Sequence, residues 1–122
     1  GILGFEAASR GAAEITFVEK NRKMTKILHR NSSFFTDTIF YVENDSAEAF
    51  LDTDELYDII IADPPYALTE AKNGTTGKSL IDLCFNRLKL HGTFILEMSS
   101  KSDIKGDREK YYGDTKLVFW NK

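Results

Sequence analysis

The sequence predicts an α/β fold built on a doubly wound, mostly parallel β-sheet. Segments with helical and with strand character alternate along the 122 residues, which is typical of βαβ units. The segment YDIIIAD, residues 57–63, is an almost continuous apolar run, as expected for a strand covered on both faces of such a sheet. Parallel sheets of this kind bind ligands at the carboxyl ends of their strands, so the residues that follow each strand are the first candidates for a functional site.

The first half of the chain alternates between helix and strand signals. Gly11 follows a helix-forming stretch and is a common helix terminator. The strand segments EITFVE and TIFYVE are rich in β-branched and aromatic residues. Between them, Met24, Ile27 and Leu28 supply the apolar stripe of a basic amphipathic helix. We therefore predict helices at residues 1–10, 21–31 and 46–51 and strands at 14–19 and 38–43.

The second half continues the alternation. A glycine- and threonine-rich loop follows the YDIIIAD strand. The next segment, KSLIDLCFNRLKL, has apolar residues at helical spacing, and GTFILEM and TKLVFW have strand composition. We predict strands at residues 57–63, 92–98 and 115–120 and a helix at 78–90.

Composition and charge narrow the classes of protein. With 42% hydrophobic and 29% charged residues, the composition is that of one soluble globular domain, residues 1–122. The single cysteine, Cys84, fits a reducing cytosolic compartment, and neither a metal site nor a membrane span is expected. The net charge of −3 argues against a general nucleic-acid binder. The basic segment 20–30 is better explained as the solvated face of its helix.

Gly1 and Gly4 stand at the start of the first predicted helix. Glycines at this position let a ligand approach the free backbone N–H groups, but Gly4 could equally permit close packing against a neighbouring element. A nucleotide-binding βαβ unit begins with a strand before such a glycine turn. No strand precedes Gly1 here, so we expect that the first strand is missing and that the chain is N-terminally truncated.

Acidic residues follow two of the predicted strands. Glu19 ends the strand after the glycine pair, where a carboxylate can accept hydrogen bonds from the ribose hydroxyls of an adenosine cofactor. Asp45 follows the next strand and could meet the adenine amino group. Asp45 or Ser46 could also simply cap the short helix that follows, and both roles can coexist.

The tetrapeptide Asp63-Pro64-Pro65-Tyr66 is the sharpest chemical signal. Two prolines cannot continue a strand, so they form a stiff turn that projects Asp63 at the strand's carboxyl end. Neighbouring carbonyl oxygens remain available to an amine, and Tyr66 offers a flat face for stacking on a base. An acid, a carbonyl and an aromatic ring around one point predict a receptor for an exocyclic amino group.

These residues resemble motif IV, [DNS]-P-P-[YFW], of amino-methyltransferases that use S-adenosylmethionine. The blocks GILGFEAASRGAAEITFVEKNRK, IIIADPPY and KYYGDTKLVFW, in this order, resemble the RsmD family, which methylates a guanine N2 of 16S ribosomal RNA. The resemblance runs over nearly the whole chain and implies a Rossmann-like class I methyltransferase fold with an antiparallel C-terminal strand.

The resemblance also implies roles for individual residues. Asp63, Pro64, Pro65 and Tyr66 correspond to the catalytic tetrapeptide, and the cofactor-binding positions correspond to Gly1, Gly4, Glu19, Asp45 and Ser46. The turns at residues 10–12 and 112–115 correspond to structural features of the family. The implied cofactor is S-adenosyl-L-methionine, the implied partner is 16S rRNA or the small ribosomal subunit, and a cytoplasmic monomer is expected.

Three alternatives remain open at the level of sequence. The same tetrapeptide would receive the N6 amine of adenine, as in a DNA methyltransferase. A nicotinamide dehydrogenase could share the adenosine site, although it has no need of the Pro-Pro-Tyr turn. A truncated, non-catalytic remnant is the third alternative, because the expected first strand is missing.

Overall fold

The computed structural model describes residues 2–63 and 75–122, with side chains for residues 3–63 and 80–122. The chain divides into two compact units, Gly1–Asp52 and Thr53–Lys122. Each unit contains parallel strands, and the second unit ends in antiparallel strands. The α/β prediction, with parallel strands and an antiparallel C-terminal strand, is confirmed. Among the described helices, none is both long enough and apolar enough to cross a membrane.

The first unit is built around two parallel strands joined by a crossover helix. Its elements are α1 (Ile2–Ser9), β1 (Glu14–Val18), α2 (Arg22–Ser32), β2 (Ile39–Glu43) and α3 (Ala47–Phe50). The register pairs Val18 with Glu43, and the Glu19 N–H donates to the Glu43 carbonyl at 2.9 Å. The carboxyl ends of β1 and β2 therefore lie side by side, as the sequence predicted for this part of the chain.

An aromatic cluster holds the first unit together. Its members are Phe5, Phe17, Phe35 and Phe40, with ring centroids 5.0 to 5.9 Å apart. They come from α1, β1, the segment after α2, and β2. Tilted and stacked aromatic pairs at this separation contribute about 0.5–1.5 kcal/mol each beyond the area they bury. The cluster thus ties both strands to α1.

The ends of α1 and α2 follow local sequence rules. Gly11 has a φ of +98° and donates its N–H to Ala8, which confirms it as the residue that terminates α1. Asn21 caps α2, because its side-chain oxygen accepts hydrogen bonds from the second and third backbone N–H groups beyond it, at 2.9 and 3.2 Å. Of the predicted apolar stripe, Leu28 is buried, whereas Met24 and Ile27 remain exposed.

The second unit is a four-stranded sheet with one helix. Its described elements are β3 (Tyr57–Ala62), α4 (Thr75–Asn86), β4 (Leu88–Ser99), β5 (Arg108–Tyr112) and β6 (Thr115–Asn121). The strand order is β3-β4-β6-β5. Strands β3 and β4 are parallel, while β6 runs antiparallel to both β4 and β5. The strand that precedes Asp63 therefore lies at one edge of this sheet, next to β4.

The predicted helix at 78–90 was wrong at its end. Strand β4 already begins at Leu88, which pairs with Tyr57, and the register then jumps so that Ile59 pairs with Thr93. The extra residues form a bulge with His91 at a φ of +69°. Leu88 is buried and Leu90 is exposed. The apolar residues at 88 and 90, whose spacing predicted a helix, therefore belong to the start of strand β4.

Strand β5 was missed by the sequence analysis. Its sequence, REKYY, is mostly polar, and its side chains are largely exposed, as is common for a strand at the edge of a sheet. A two-residue turn joins it to β6, and Gly113 in this turn has a φ of +57°. Glycine as the first residue of such a turn is typical of a type II′ hairpin. Residues 112–115 thus form a hairpin turn, and the structural role that the family resemblance implies for them stays a prediction.

The sheet of the second unit has one buried and one more open face. The buried face carries Phe94, Leu96, Met98 and Val118, none of which is exposed to solvent. On the other face, Ile59 and Ile61 are 60% and 37% exposed. The prediction that this strand is covered on both faces was therefore wrong for the described residues, because the apolar side chains buried within the unit gather on one face only.

Candidate functional site

The carboxyl end of β3 presents two acidic side chains. Asp63 directly follows β3, and Glu97 lies in β4. The parallel register pairs Ala62 with Leu96, so Asp63 and Glu97 are the next neighbours along the two strands. Their carboxyl groups lie close enough to share a hydrogen bond when one of them is protonated. Asp63 is exposed and Glu97 is half-buried. Sequence reasoning found Asp63 and missed Glu97.

The environment of Glu97 raises the pKa of its carboxyl group. Partial burial is the main cause, followed by the hydrogen bond to Asp63 and the negative charge of Asp63. The protonated form of Glu97 therefore persists to a higher pH than for a carboxyl in water, and the stability that depends on it is lost as the pH rises through this raised pKa. Above that pH, two negative charges lie side by side.

The other neighbours of Glu97 in the sheet do not neutralise it. Strand β6 places Leu117 opposite Glu97, and β5 in turn places Lys110 opposite Leu117. The Lys110 Nζ lies 5.3 Å from the centroid of the Tyr112 ring. Among the described side chains, those of residues 3–63 and 80–122, no salt bridge involves Glu97. The acidic pair therefore keeps its capacity to accept hydrogen bonds.

Glu19 lies at the carboxyl end of β1, as predicted. Its Oε2 accepts a hydrogen bond from the Asn21 N–H at 2.9 Å, which fixes the direction of the carboxylate. In the part of the chain that the structure describes, Oε1 has no hydrogen-bond partner. A carboxylate held by one oxygen and open at the other suits the ribose hydroxyls of an adenosine group.

Asn44 fastens the loop that follows Glu19. Its side-chain Nδ2 donates hydrogen bonds to the carbonyl oxygens of Glu19 and Lys20, both at 3.0 Å. Asn44 itself follows β2, so it joins the two strand ends across the parallel pair. Sequence reasoning missed this residue. Its signal, an asparagine directly after a strand, also occurs in ordinary turns and is therefore weak.

The structure separates the roles of Asp45 and Ser46. Ser46 is the N-cap of α3, since its Oγ accepts a hydrogen bond from the Ala49 N–H at 3.2 Å. Asp45 accepts from the Ser46 N–H at 2.8 Å through Oδ1. The capping explanation therefore holds for Ser46. Asp45 lies beside Glu19 at the same edge of the parallel pair, and its role toward adenine stays a prediction.

Gly4 lies within α1, where it packs against a ring of the aromatic cluster. A Cβ atom at this position would lie 2.3 and 2.6 Å from two carbon atoms of the Phe17 ring. Contacts this short are not tolerated without movement of the ring or the helix. Close packing is thus one reason for the glycine, and its predicted approach to a cofactor remains a prediction.

Replacing Gly4 with alanine is expected to lower the free energy of unfolding by about 1–3 kcal/mol, because the added methyl group overpacks the contact with Phe17. This loss is expected even though alanine is the better helix former. Urea unfolding followed by circular dichroism measures it. In a Phe17→Leu background, the same change should cost clearly less, and an equal cost in both backgrounds would contradict the packing explanation.

Four of the predicted site residues fall outside the described part of the chain. They are Gly1, Pro64, Pro65 and Tyr66. The roles predicted for them therefore rest on the sequence. Of the predicted residues that are described, Glu19, Asp45 and Ser46 are brought together at one edge in the first unit, and Asp63 is paired with Glu97 in the second.

A family model covers almost the entire chain. The model described as conserved hypothetical protein 95 matches residues 1–121. A search of the curated proteins found no match. The resemblance to the RsmD family that the three sequence blocks indicated is confirmed by the family match.

Solved structures with the same fold cover nearly all of the chain. A Haemophilus influenzae protein, provisionally named a methylase, is 23% identical with a TM-score of 0.81, over 99% of this chain and 80% of its own. A conserved hypothetical protein of Streptococcus pyogenes is 25% identical with a TM-score of 0.82, over 98% and 78%. An Escherichia coli protein, provisionally named a methyltransferase, is 24% identical with a TM-score of 0.76, over 98% and 68%. The fold is thus one that proteins with methyltransferase names share.

Proposed function

The chain belongs to the family described as conserved hypothetical protein 95, and from that premise we propose that it is an S-adenosylmethionine-dependent methyltransferase that modifies the exocyclic N2 amine of a guanine in 16S ribosomal RNA. The observation that carries the proposal is Asp63 at the carboxyl end of β3, followed in sequence by Pro-Pro-Tyr. The names of the structural relatives support the reaction class, and the sequence blocks support the substrate.

The first unit supports an adenosine-containing cofactor. Glu19 offers one carboxylate oxygen, which the Asn21 N–H holds in place through the other. Asp45 lies at the same edge of the β1–β2 pair and is oriented through its bond to the Ser46 N–H. These side chains fit the ribose and the adenine amine of S-adenosylmethionine. When bound, this cofactor supplies an electrophilic methyl group on a sulfonium centre.

The second unit supports a planar amine as the methyl acceptor. Asp63 can accept a hydrogen bond from one N–H of the amine and so hold its nitrogen in a fixed direction. The negative charge of Asp63 also stabilises the positive charge that develops on that nitrogen. Tyr66 is proposed to hold the base by stacking on its face. Positioning and electrostatics therefore account for the chemistry asked of these side chains.

The proposal is tested by the identity of the methylated nucleoside. The whole protein is incubated with methyl-labelled S-adenosylmethionine and with small ribosomal subunits or 16S rRNA, and the RNA is digested to nucleosides. N2-methylguanosine at a single position is the expected product, and duplex DNA should remain unlabelled. N6-methyladenosine would favour the adenine alternative instead. Failure of the whole protein to bind S-adenosylmethionine would favour the non-catalytic alternative.

The resemblance to the RsmD family leads to three further proposals. The partner is 16S rRNA, either free or within an assembling small subunit, and the two forms are compared as substrates in the same assay. The protein acts in the cytoplasm, where these subunits are assembled. It acts as a monomer, which sedimentation of the purified protein would test.

A further inference from the structure

Among the described residues at the end of β3, Glu97 has a chemically distinctive side chain that the proposed function does not yet use. It extends from the strand next to Asp63, and the two carboxyl groups can share a hydrogen bond only while one of them is protonated. Burial of a carboxyl group costs free energy unless that group is paired or hydrogen-bonded. No cation compensates Glu97 within the described residues. A donor-rich ligand would supply that compensation.

The edge of guanine next to its amino group matches a pair of acceptors. Guanine carries an N1–H donor directly beside the N2 amino group, so this part of its Watson–Crick edge is all donor. Adenine carries an N6 amino group beside N1, which is an acceptor. Bases that are taken out of a stack are read by hydrogen bonds to this edge. Two adjacent carboxylates therefore suit guanine and oppose adenine.

We propose that Glu97 is a specificity-determining residue, which accepts a hydrogen bond from guanine N1–H while Asp63 accepts one from the N2 amine. The register supports this division, because residues paired on neighbouring parallel strands lie on the same face about 5 Å apart. This inference rests on the proposed function, because it takes the amine held by Asp63 to be the one that is methylated.

Ionisation of Glu97 is linked to this recognition. In the free protein, below the raised pKa of Glu97, a proton on its carboxyl group allows a hydrogen bond between Glu97 and Asp63. Guanine requires both groups as acceptors, so binding releases that proton to solvent. Guanine binding should therefore strengthen as the pH rises through the pKa of Glu97, and bound guanine should lower that pKa. On the described strands, Asp63 follows β3 beside Glu97, and Lys110 on β5 is paired with Leu117, which is itself paired with Glu97. Lys116 on β6 is paired with the adjacent Met98, where its Nζ donates to the carbonyl oxygens of Ser102 and Ile104.

A change at the Watson–Crick edge of the substrate base tests the proposal. RNA substrates carry either guanine or 2-aminopurine at the position that the product analysis identifies. 2-Aminopurine keeps the 2-amino group but has an acceptor at N1 and lacks O6, so the response of the Glu97 variant is what isolates the N1 contact. The wild-type protein should methylate guanine about 10- to 100-fold more efficiently, the discrimination typical of one specific base contact. The variant Glu97→Gln, which can donate an amide N–H to N1, should lose or reverse this preference.

A carboxyl group on β3, the strand that neighbours Glu97, serves as the control. Asp58 lies at the other end of β3, where its exposed side chain pairs with Lys89 at 3.5 Å. Asp58→Asn should leave the guanine preference unchanged. An unchanged preference in Glu97→Gln, with the turnover of guanine also unchanged, would overturn the role of Glu97. A general loss of activity with the preference retained would also overturn it, since a purely structural role predicts that result.

A readout that does not depend on turnover separates this inference from the proposed function. Carbon NMR of the carboxyl groups in the whole protein measures the pH titration of Glu97. The titration is repeated with guanosine 5′-monophosphate or with the 2-aminopurine ribonucleotide, each added until neighbouring chemical shifts reach a plateau. Guanosine monophosphate should lower the pKa of Glu97, and the analogue should not. Equal effects of both would overturn the inference. Product analysis that finds methylated adenine would instead overturn the proposed function.

Discussion

Replacing Asp63 with alanine is expected to reduce methyl transfer by about 100- to 1,000-fold or more, the loss seen when one preorganised group at a reacting centre is removed. Without the Asp63 carboxylate, the substrate amine has no hydrogen-bond acceptor at this position. It also lacks a negative charge at the point where its positive charge develops. Turnover with saturating S-adenosylmethionine measures the effect. The affinity for S-adenosylmethionine should stay within a few-fold, because the proposed cofactor contacts of Glu19 and Asp45 follow β1 and β2 and do not involve Asp63.

The structure supplies a control for this prediction. Asp58 is an acid on the same strand as Asp63, but it lies at the opposite end and is 81% exposed in its side chain. Exposed ion pairs such as the one between Asp58 and Lys89 contribute little to stability. Asp58→Asn should therefore retain nearly full turnover. Wild-type turnover in Asp63→Ala would remove the basis for the proposed amine-binding site.

Replacing Glu19 with alanine is expected to weaken S-adenosylmethionine binding by about 10- to 100-fold, since a hydrogen bond to a charged group is worth about 1.5–3 kcal/mol. The lost interaction is the one proposed between the carboxylate and the ribose hydroxyls. The alanine variant also loses the bond from the Asn21 N–H, which holds the loop after β1. Isothermal titration of the whole protein with S-adenosylmethionine measures the affinity.

Two companion variants separate these contributions at Glu19. Glu19→Gln keeps an oxygen for the Asn21 N–H but loses the charge, so its affinity should lie between those of the wild type and the alanine variant. Glu14 lies at the other end of β1 and is exposed, so Glu14→Gln should bind normally. Normal binding in Glu19→Ala, with an intact fold, would contradict the adenosine site.

The fold class followed from patterns that are local in sequence. Strand composition marked β1, β2 and β6, and the segment before Asp63 marked β3. Caps and turns acted through neighbouring residues, as at Gly11 and Asn21. Local patterns gave wrong predictions where pairing with a neighbouring strand determined the secondary structure. The end of the predicted helix at 78–90 became the start of β4, because Leu88 pairs with Tyr57. Strand β5 is polar and owes its strand conformation to its hydrogen bonds with β6.

The candidate site, too, was only partly predictable from local sequence patterns. Asp63 could be found because the prolines beside it and its place after an apolar strand are visible in a short stretch of sequence. Glu97 lies within a strand of buried residues, where its neighbours Leu96 and Met98 give no sign of chemistry. Gly4 had two explanations until the Phe17 ring was found against it.

The sequence by itself determined the family, the α/β alternation and the tetrapeptide that indicates amine methylation, because each depends on residues that are close together in the chain. Only the tertiary structure decided that Glu97 adjoins Asp63, that Asn44 fastens the loop after Glu19, and that Gly4 contacts Phe17. These contacts join residues that are distant in sequence. They are set by strand register and by packing, which no local pattern of side chains specifies.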